Sequence, residues 1–397
     1  MRPIDFIHIA DLHLGYAQYN LEARLEDFSN AFREAVDKIL EVKPDFVLIC
    51  GDLFHHPRPS NVVLEFAIEQ LCRLKAARVP VLAVDGSHDS APNSITGTIL
   101  RPLASAGLLT YLPKCPGSCW EGPGCYVYGV GYLRGRAKKA ELEEYLREVP
   151  PTPDPSKLNV MAFHFALALE DLNLPGALDP SLLPNGFDYY AGGHIHKPVL
   201  LRLAEVGLPG EGYLAYSGST ETVSYREAGY DKGFYLVHVS TDKDIEVERI
   251  KLEGVRKFLV FEEDITGLAP QEATKHLVER VKAMDERGAV LVPVITGELP
   301  PGASASEIDL AAIRMAAELT LTVRPVLRVV EAELPEVTVL EEKEDLKARA
   351  YRYFVEIFKA RGLGEPEKLA EAAVELIEPL LAGDEKRARE ILEGLMP

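Results

Sequence analysis

Five times in the first 200 residues, a short apolar run stops at a turn that carries aspartate or histidine. "FIHIA" is followed by Asp11 and His13, "DFVLIC" by Gly51 and Asp52, and "VPVLAV" by Ser87, His88 and Asp89. "NVMAF" leads into His164, and "FDYYAGG" into His194 and His196. Runs rich in Val, Ile, Phe and Tyr read as β-strands. Segments 21–41 and 60–78 between them have helical periodicity, the first with Leu25, Phe28, Phe32, Val36 and Ile39 on one face. Continuous apolar strands alternating with helices imply an α/β fold whose sheet is covered on both faces. Ligands of such sheets gather at the carboxyl edge of the strands, and all five turns lie at that edge.

Asp11 and His13 are two residues apart, as are His194 and His196. On an extended chain such residues point the same way, so each pair can reach one ion. Mixed nitrogen and oxygen donors suit Mn, Fe, Zn or Co better than Mg or Ca. Two carboxylates with four imidazoles are too many for one open ion, but natural for two ions roughly 3.5–4 Å apart. Each motif has an ordinary reading by itself. D-x-H arises by chance, Asp52 after Gly51 suits a turn, and a lone His164 suits a hydrogen-bonded core. Their joint placement at strand ends favours the metal centre.

The series "DLH…GDLF…GSHD…H…GHIH" resembles the calcineurin-like metallophosphoesterases. "ADLHLG", "GDLFHHPRPS" (51–60) and "YSGSTETVSYREAGYDKGF" (216–234) resemble one branch of it, the SbcD-type DNA double-strand-break repair nucleases. The resemblance implies a metallophosphoesterase β-sandwich flanked by helices over 1–240 and a small α/β capping domain over 250–331. It implies a linker over 332–345 and a helical segment over 346–397 that binds the coiled-coil base of an SbcC-type ATPase. Two divalent ions, Mn2+ expected, and double-stranded DNA ends as substrate are implied with it. A homodimer, built through helices within 60–110, is also expected.

The same resemblance distributes the roles. Asp11, His13 and His196 hold the first ion, Asp52 bridges both, and His164 and His194 hold the second with position 87. His88, oriented by Asp89, handles the proton of the leaving or attacking oxygen, and His55 helps to place the DNA end. Ser87 departs from the pattern, because the family has Asn there, whose side-chain carbonyl is a ligand. Serine is shorter and its hydroxyl a poor ligand. Water, the hydroxyl itself or Asp85 would have to fill the gap.

Beyond residue 240 the pattern reads on its own terms. "VRKFLVFEED" (255–264), a helix from Pro270, "AVLVPVIT" (289–296), a helix from Ser306 and "LTVRPVLRVV" (321–330) make a βαβαβ unit that begins after a charged stretch near 241–255. Leu346, Ala350, Phe354 and Phe358, then Leu369, Ala373, Leu376 and Leu380, mark amphipathic helices.

The net charge is −19, which repels nucleic acid at long range. A DNA substrate must therefore be held by a local basic face, by bound ions or by a partner. Two other functions fit an acidic phosphoesterase. One is hydrolysis of a non-DNA phosphodiester or phosphoprotein. The other is a catalytically weakened scaffold for DNA ends and the ATPase, with Ser87 as the mark of decay. The capping domain and helical tail disfavour the former, and retention of every other ligand disfavours the latter. No apolar run reaches about 18 residues, so no transmembrane helix is expected. The opening "MRPIDFIHIADLHLG" is no signal peptide, and the cytoplasm is the expected location. Five cysteines (Cys50, Cys72, Cys115, Cys119, Cys125) read as reduced thiols. Cys115, Cys119 and Cys125 have no evident fourth partner for zinc.

Overall fold

The computed structural model describes residues 2–90, 97–134, 137–170, 172, 174–332, 346–382 and 384–393. The chain divides into two compact units, Met1–Arg256 and Lys257–Pro397. The expected linker over 332–345 lies outside the described residues apart from Ala332.

Among the described residues, the first unit holds twelve strands in two six-stranded sheets. In chain order they are β1 Ile4–Ile9, β2 Phe46–Cys50, β3 Val81–Val84, β4 Thr110–Tyr111, β5 Cys119–Gly122, β6 Cys125–Val130, β7 Leu158–His164, β8 Tyr189–Gly193, β9 Val199–Arg202, β10 Tyr213–Tyr216, β11 Gly233–Val239 and β12 Ile245–Lys251. One sheet runs β12-β11-β1-β2-β3-β4 and the other β5-β6-β7-β8-β10-β9. Strands β1 to β4 are mutually parallel, as are β6, β7, β8 and β10.

Alternation along each strand sorts its side chains between two layers. Phe6, Phe46, Leu48, Leu82 and Val84 meet Val127, Val160, Ala162, Tyr189 and Ala191 between the sheets. Ile7, Ile9, Val47, Ile49 and Ala83 face the other way, onto Phe32, Val36 and Ile39 of helix Glu22–Val42 and Ala67 and Leu71 of helix Asn61–Ala76. The outer face of the second sheet packs on Leu142, Tyr145 and Leu146 of helix Lys138–Glu148. Each sheet is covered on both faces, but on one of them by the other sheet. This is the helix-flanked β-sandwich.

The first unit runs past residue 240. β12 reads as charged sequence because it is an edge strand, with Glu246 and Glu248 exposed and Ile245 and Val247 turned inward, and it pairs antiparallel with β11 from Gly233↔Lys251 to Val239↔Ile245. In the second unit, strands β13 Phe258–Asp264, β14 Val290–Leu299, β15 Thr322–Val323 and β16 Val326–Glu331 form a parallel sheet with helix Pro270–Ala283. The run 321–330 becomes two strands because Pro325, which has no N–H to donate to a ladder, falls between them. Helices Leu346–Ala360, Pro366–Ala382 and Glu385–Glu393 complete it. Among the described residues, no helix is long and apolar enough to cross a membrane.

Candidate metal centre

The end of β7 and the loops after β1, β2, β3 and β8 bring Asp11, His13, Asp52, His88, Asp89, His164, His194 and His196 to one edge of the sandwich. Among the described residues, three groups of potential ligand atoms each fit within 4.8 Å: Asp11–His13–His196, Asp11–Asp52–His164 and His13–His55–His88. Asp52 Oδ2 lies 3.3 Å from His164 Nε2 and 3.9 Å from His13 Nε2. One carboxylate oxygen thus reaches both donor sets.

The local backbone that achieves this is not the extended one expected from the two-residue spacing. Asp11, His13, Asp52 and His194 have φ of 53°, 49°, 53° and 87°, in the left-handed region that non-glycine residues seldom occupy. The reversal between His194 and His196 sends their rings to different neighbours. His196 Nε2 faces His13 Nε2 at 3.2 Å and Asp11 Oδ1 at 3.9 Å. The His194 ring lies beside His164, with centroids 5.3 Å apart, and stands outside the three tight groups. Glycine permits the closeness. A Cβ on Gly51 would stand 2.2 Å from His164 Nδ1, and one on Gly86 2.1 Å from Asp52 Oδ1.

Backbone and outer side chains fix each ligand. The His194 N–H donates to both oxygens of Asp11 (3.1 and 3.0 Å), and the His88 N–H to Asp52 Oδ1 (2.7 Å). His164 Nδ1–H donates to the Cys50 carbonyl (2.8 Å), His196 Nδ1–H to Glu227 Oε1 (2.8 Å) and His88 Nδ1–H to the His55 carbonyl (2.9 Å). Each of these bonds sets the tautomer and leaves Nε2 as the free atom. His55 Nδ1 and His13 Nδ1 are 3.2 Å apart, so one of the two carries the shared proton. His55 also stacks between Tyr16 (3.8 Å) and His88 (4.7 Å).

Asp89 behaves differently from expectation. It is fully buried and accepts the N–H groups of Phe54 (2.7 Å), Leu53 (3.0 Å) and Gly86 (3.3 Å). It clamps the loop after Asp52 rather than orienting the His88 imidazole, whose partner is the His55 carbonyl. Burial, with the nearby Asp52 charge, pushes its carboxyl up to about 8 against the pull of those three donors. Ser87 Oγ–H donates to Asp52 Oδ2 at 3.2 Å. Asp85 does not fill the gap at position 87, because its buried carboxylate is held by Ser90 and by the Tyr111 hydroxyl (2.8 Å).

The electrostatics call for a cation. His164 Nε2 is buried and has no hydrogen-bond partner despite its proximity to Asp52. Burial lowers the His164 pKa, yet the charges of Asp52 and Asp11 outweigh it and raise it to about 10. Burial and that charged neighbour push His194 down to about 3. Two buried carboxylates beside His164 thus call for a positive charge at this place. An orphaned imidazole nitrogen beside them, with further imidazoles at hand, is a donor set that fits divalent metal.

One residue of the site was missed in the sequence. Glu227, 6% exposed, holds His196. Away from the candidate ligands, His8 is fully buried between the Tyr189 hydroxyl (3.0 Å) and the Gly192 carbonyl (3.1 Å). Glu227 sits within the quoted stretch 216–234, but no spacing rule connects it to His196.

Residues 4–198 match the family model of the calcineurin-like phosphoesterases. The chain is 32% identical over 271 residues to the DNA double-strand break repair protein Mre11 of Methanococcus maripaludis, an alignment covering 65% of this chain and 69% of that protein. It is 32% identical over 321 residues to the protein of the same name from Archaeoglobus fulgidus, covering 70% and 68%. The phosphoesterase match spans the strand ends that carry the donors, and the similarity to these relatives covers more than two thirds of their length. The chain therefore belongs to the Mre11 family of DNA double-strand break repair proteins, within the calcineurin-like phosphoesterases.

Proposed function

We propose that this chain is the metal-dependent nuclease of a DNA double-strand break repair complex, hydrolysing phosphodiester bonds at double-stranded DNA ends. The observation that carries the reading is the place of Asp52 Oδ2 between His13 and His164. Asp11, His13 and His196, together with Asp52, would hold a first ion, and Asp52, His164 and His194 would hold a second. Mn2+ is the ion we expect. Bound ions of this kind neutralise phosphate oxygens and lower the pKa of a water near neutrality.

The chain's own residues do the rest. His88, held through Nδ1, presents Nε2 as the atom that takes up a proton and passes it to the leaving oxygen. Asp89 keeps the Asp52 loop and the β3 turn together. His55, itself stacked on Tyr16, braces the His88 ring by stacking. Partners follow from the remaining surfaces. Leu380, Leu381 and Leu392 are 66%, 84% and 51% exposed, which suits a helix-on-coil contact with an SbcC-type ATPase. Val62, 72% exposed on helix Asn61–Ala76, suits a homodimer through helices within 60–110.

The test is degradation of linear double-stranded DNA with and without the ATPase partner. Cleavage that a chelator stops and Mn2+ restores is expected. No cleavage with any divalent metal, partner included, would leave the scaffold as the better reading.

A further inference from the structure

We infer that Glu227 is the positioning residue of the first ion site, and that through it the first site binds metal more tightly than the second. The inference rests on the two-ion reading above. Glu227 lies on the short helical turn Tyr225–Glu227, 31 residues beyond His196 in the chain. Its two oxygens have separate tasks. Oε1 receives the Nδ1 proton of His196 at 2.8 Å. Oε2 receives Lys232 Nζ at 2.6 Å, the Val223 N–H at 3.1 Å and Ser219 Oγ–H at 3.3 Å. Lys232 is itself 4% exposed and donates to Ser219 Oγ at 2.7 Å. Three donors on one oxygen fix the plane of the carboxylate, so the other oxygen is held on His196.

The consequence is geometric and electronic. With its proton fixed on Nδ1, His196 has only Nε2 to offer, and that atom faces His13 Nε2 and Asp11 Oδ1. An imidazole that donates to a carboxylate is a more basic ligand than one that donates to a neutral carbonyl. His164, on the second site, donates to the neutral Cys50 carbonyl. The outer partners thus distinguish two positions that Asp52 would otherwise share evenly. If Glu227 merely neutralised the buried Lys232, it would need only Oε2, and Oε1 would have no reason to meet the imidazole.

The experiment titrates Mn2+ into the metal-free full-length chain by calorimetry. The wild type should bind in two steps. Glu227→Gln should weaken the tighter step roughly ten- to a hundredfold, the range found when such outer partners of a ligating histidine are lost, and leave the weaker step in place. Because Glu227→Gln strands the Lys232 charge, Glu227→Gln with Lys232→Met serves as the second variant. It should show the same selective loss with a metal-free thermal midpoint close to that of the wild type. A purely structural Glu227 would instead weaken both steps together. That result, or an unchanged tight step in the folded double variant, would overturn the inference alone. A wild-type chain that takes up no Mn2+ would overturn both the inference and the two-ion reading.

Discussion

Ser87→Asn should tighten the second metal ion. Ser87 stands at the mouth of β3 and spends its hydroxyl on Asp52 Oδ2, at 3.2 Å. Asp85, the nearby alternative, is tied to Tyr111 and Ser90. In the proposed two-ion centre the second site would therefore have Asp52, His164 and His194, and a hydroxyl that is occupied elsewhere. Asparagine adds a carbonyl oxygen that can reach further. One extra neutral ligand in an otherwise complete site is worth about 1–2 kcal/mol, or roughly five- to thirtyfold in affinity at about 1.4 kcal/mol per decade. The lost Ser87–Asp52 hydrogen bond costs the metal-free protein about 0.5–1.5 kcal/mol at most, so its thermal midpoint should hardly move. Calorimetric Mn2+ titration of both proteins reads the second step directly, and the Mn2+ needed for half-maximal hydrolysis should fall in parallel. Equal second-step affinities would refute the reasoning and make Ser87 a tolerated variation.

His88→Gln should lower turnover on DNA about 10²- to 10⁴-fold, the usual share of a general acid, while calorimetric Mn2+ affinity stays at the wild-type value. His8, held down to about 3 chiefly by burial, stays neutral in the fold while the unfolded chain takes up a proton below about 6.5. A depressed pKa of this kind contributes stability that is present above the unfolded pKa and lost as pH falls towards the folded one. From pH 7 to pH 5 the wild type should therefore lose about 2 kcal/mol more than His8→Gln, measured by urea unfolding of the metal-free chains. Deleting residues 346–397 should abolish co-purification with the ATPase and spare hydrolysis of a small phosphodiester; retained co-purification would show that the contact lies elsewhere.

The strands and their reactive edge were legible because each candidate ligand follows an apolar run that reads as a strand, and strand order in such folds sends the turns to one edge; the second sheet of the sandwich came only with the family resemblance. What escaped lies where local pattern does not decide. Extended spacing was the natural reading of Asp11 and His13, yet both sit at positive φ, strain that only the surrounding loops can impose. Asp89 looked like a partner of its neighbour His88, but its oxygens turn to the backbone of Leu53, Phe54 and Gly86, contacts that no sequence spacing encodes. Glu227 lies in a polar loop without periodicity. The charged sequence before 255 suggested a boundary, but an edge strand needs only one apolar face, and β12 has one.

The central claim is that one carboxylate serves two ions in a working nuclease, and Asp52→Ala tests it most directly. The measurement is the rate of Mn2+-dependent hydrolysis of linear double-stranded DNA by that variant against the wild type, with circular dichroism confirming the fold. The account predicts loss of activity to the level of a chelator-treated control. Wild-type activity in a folded Asp52→Ala protein would contradict it.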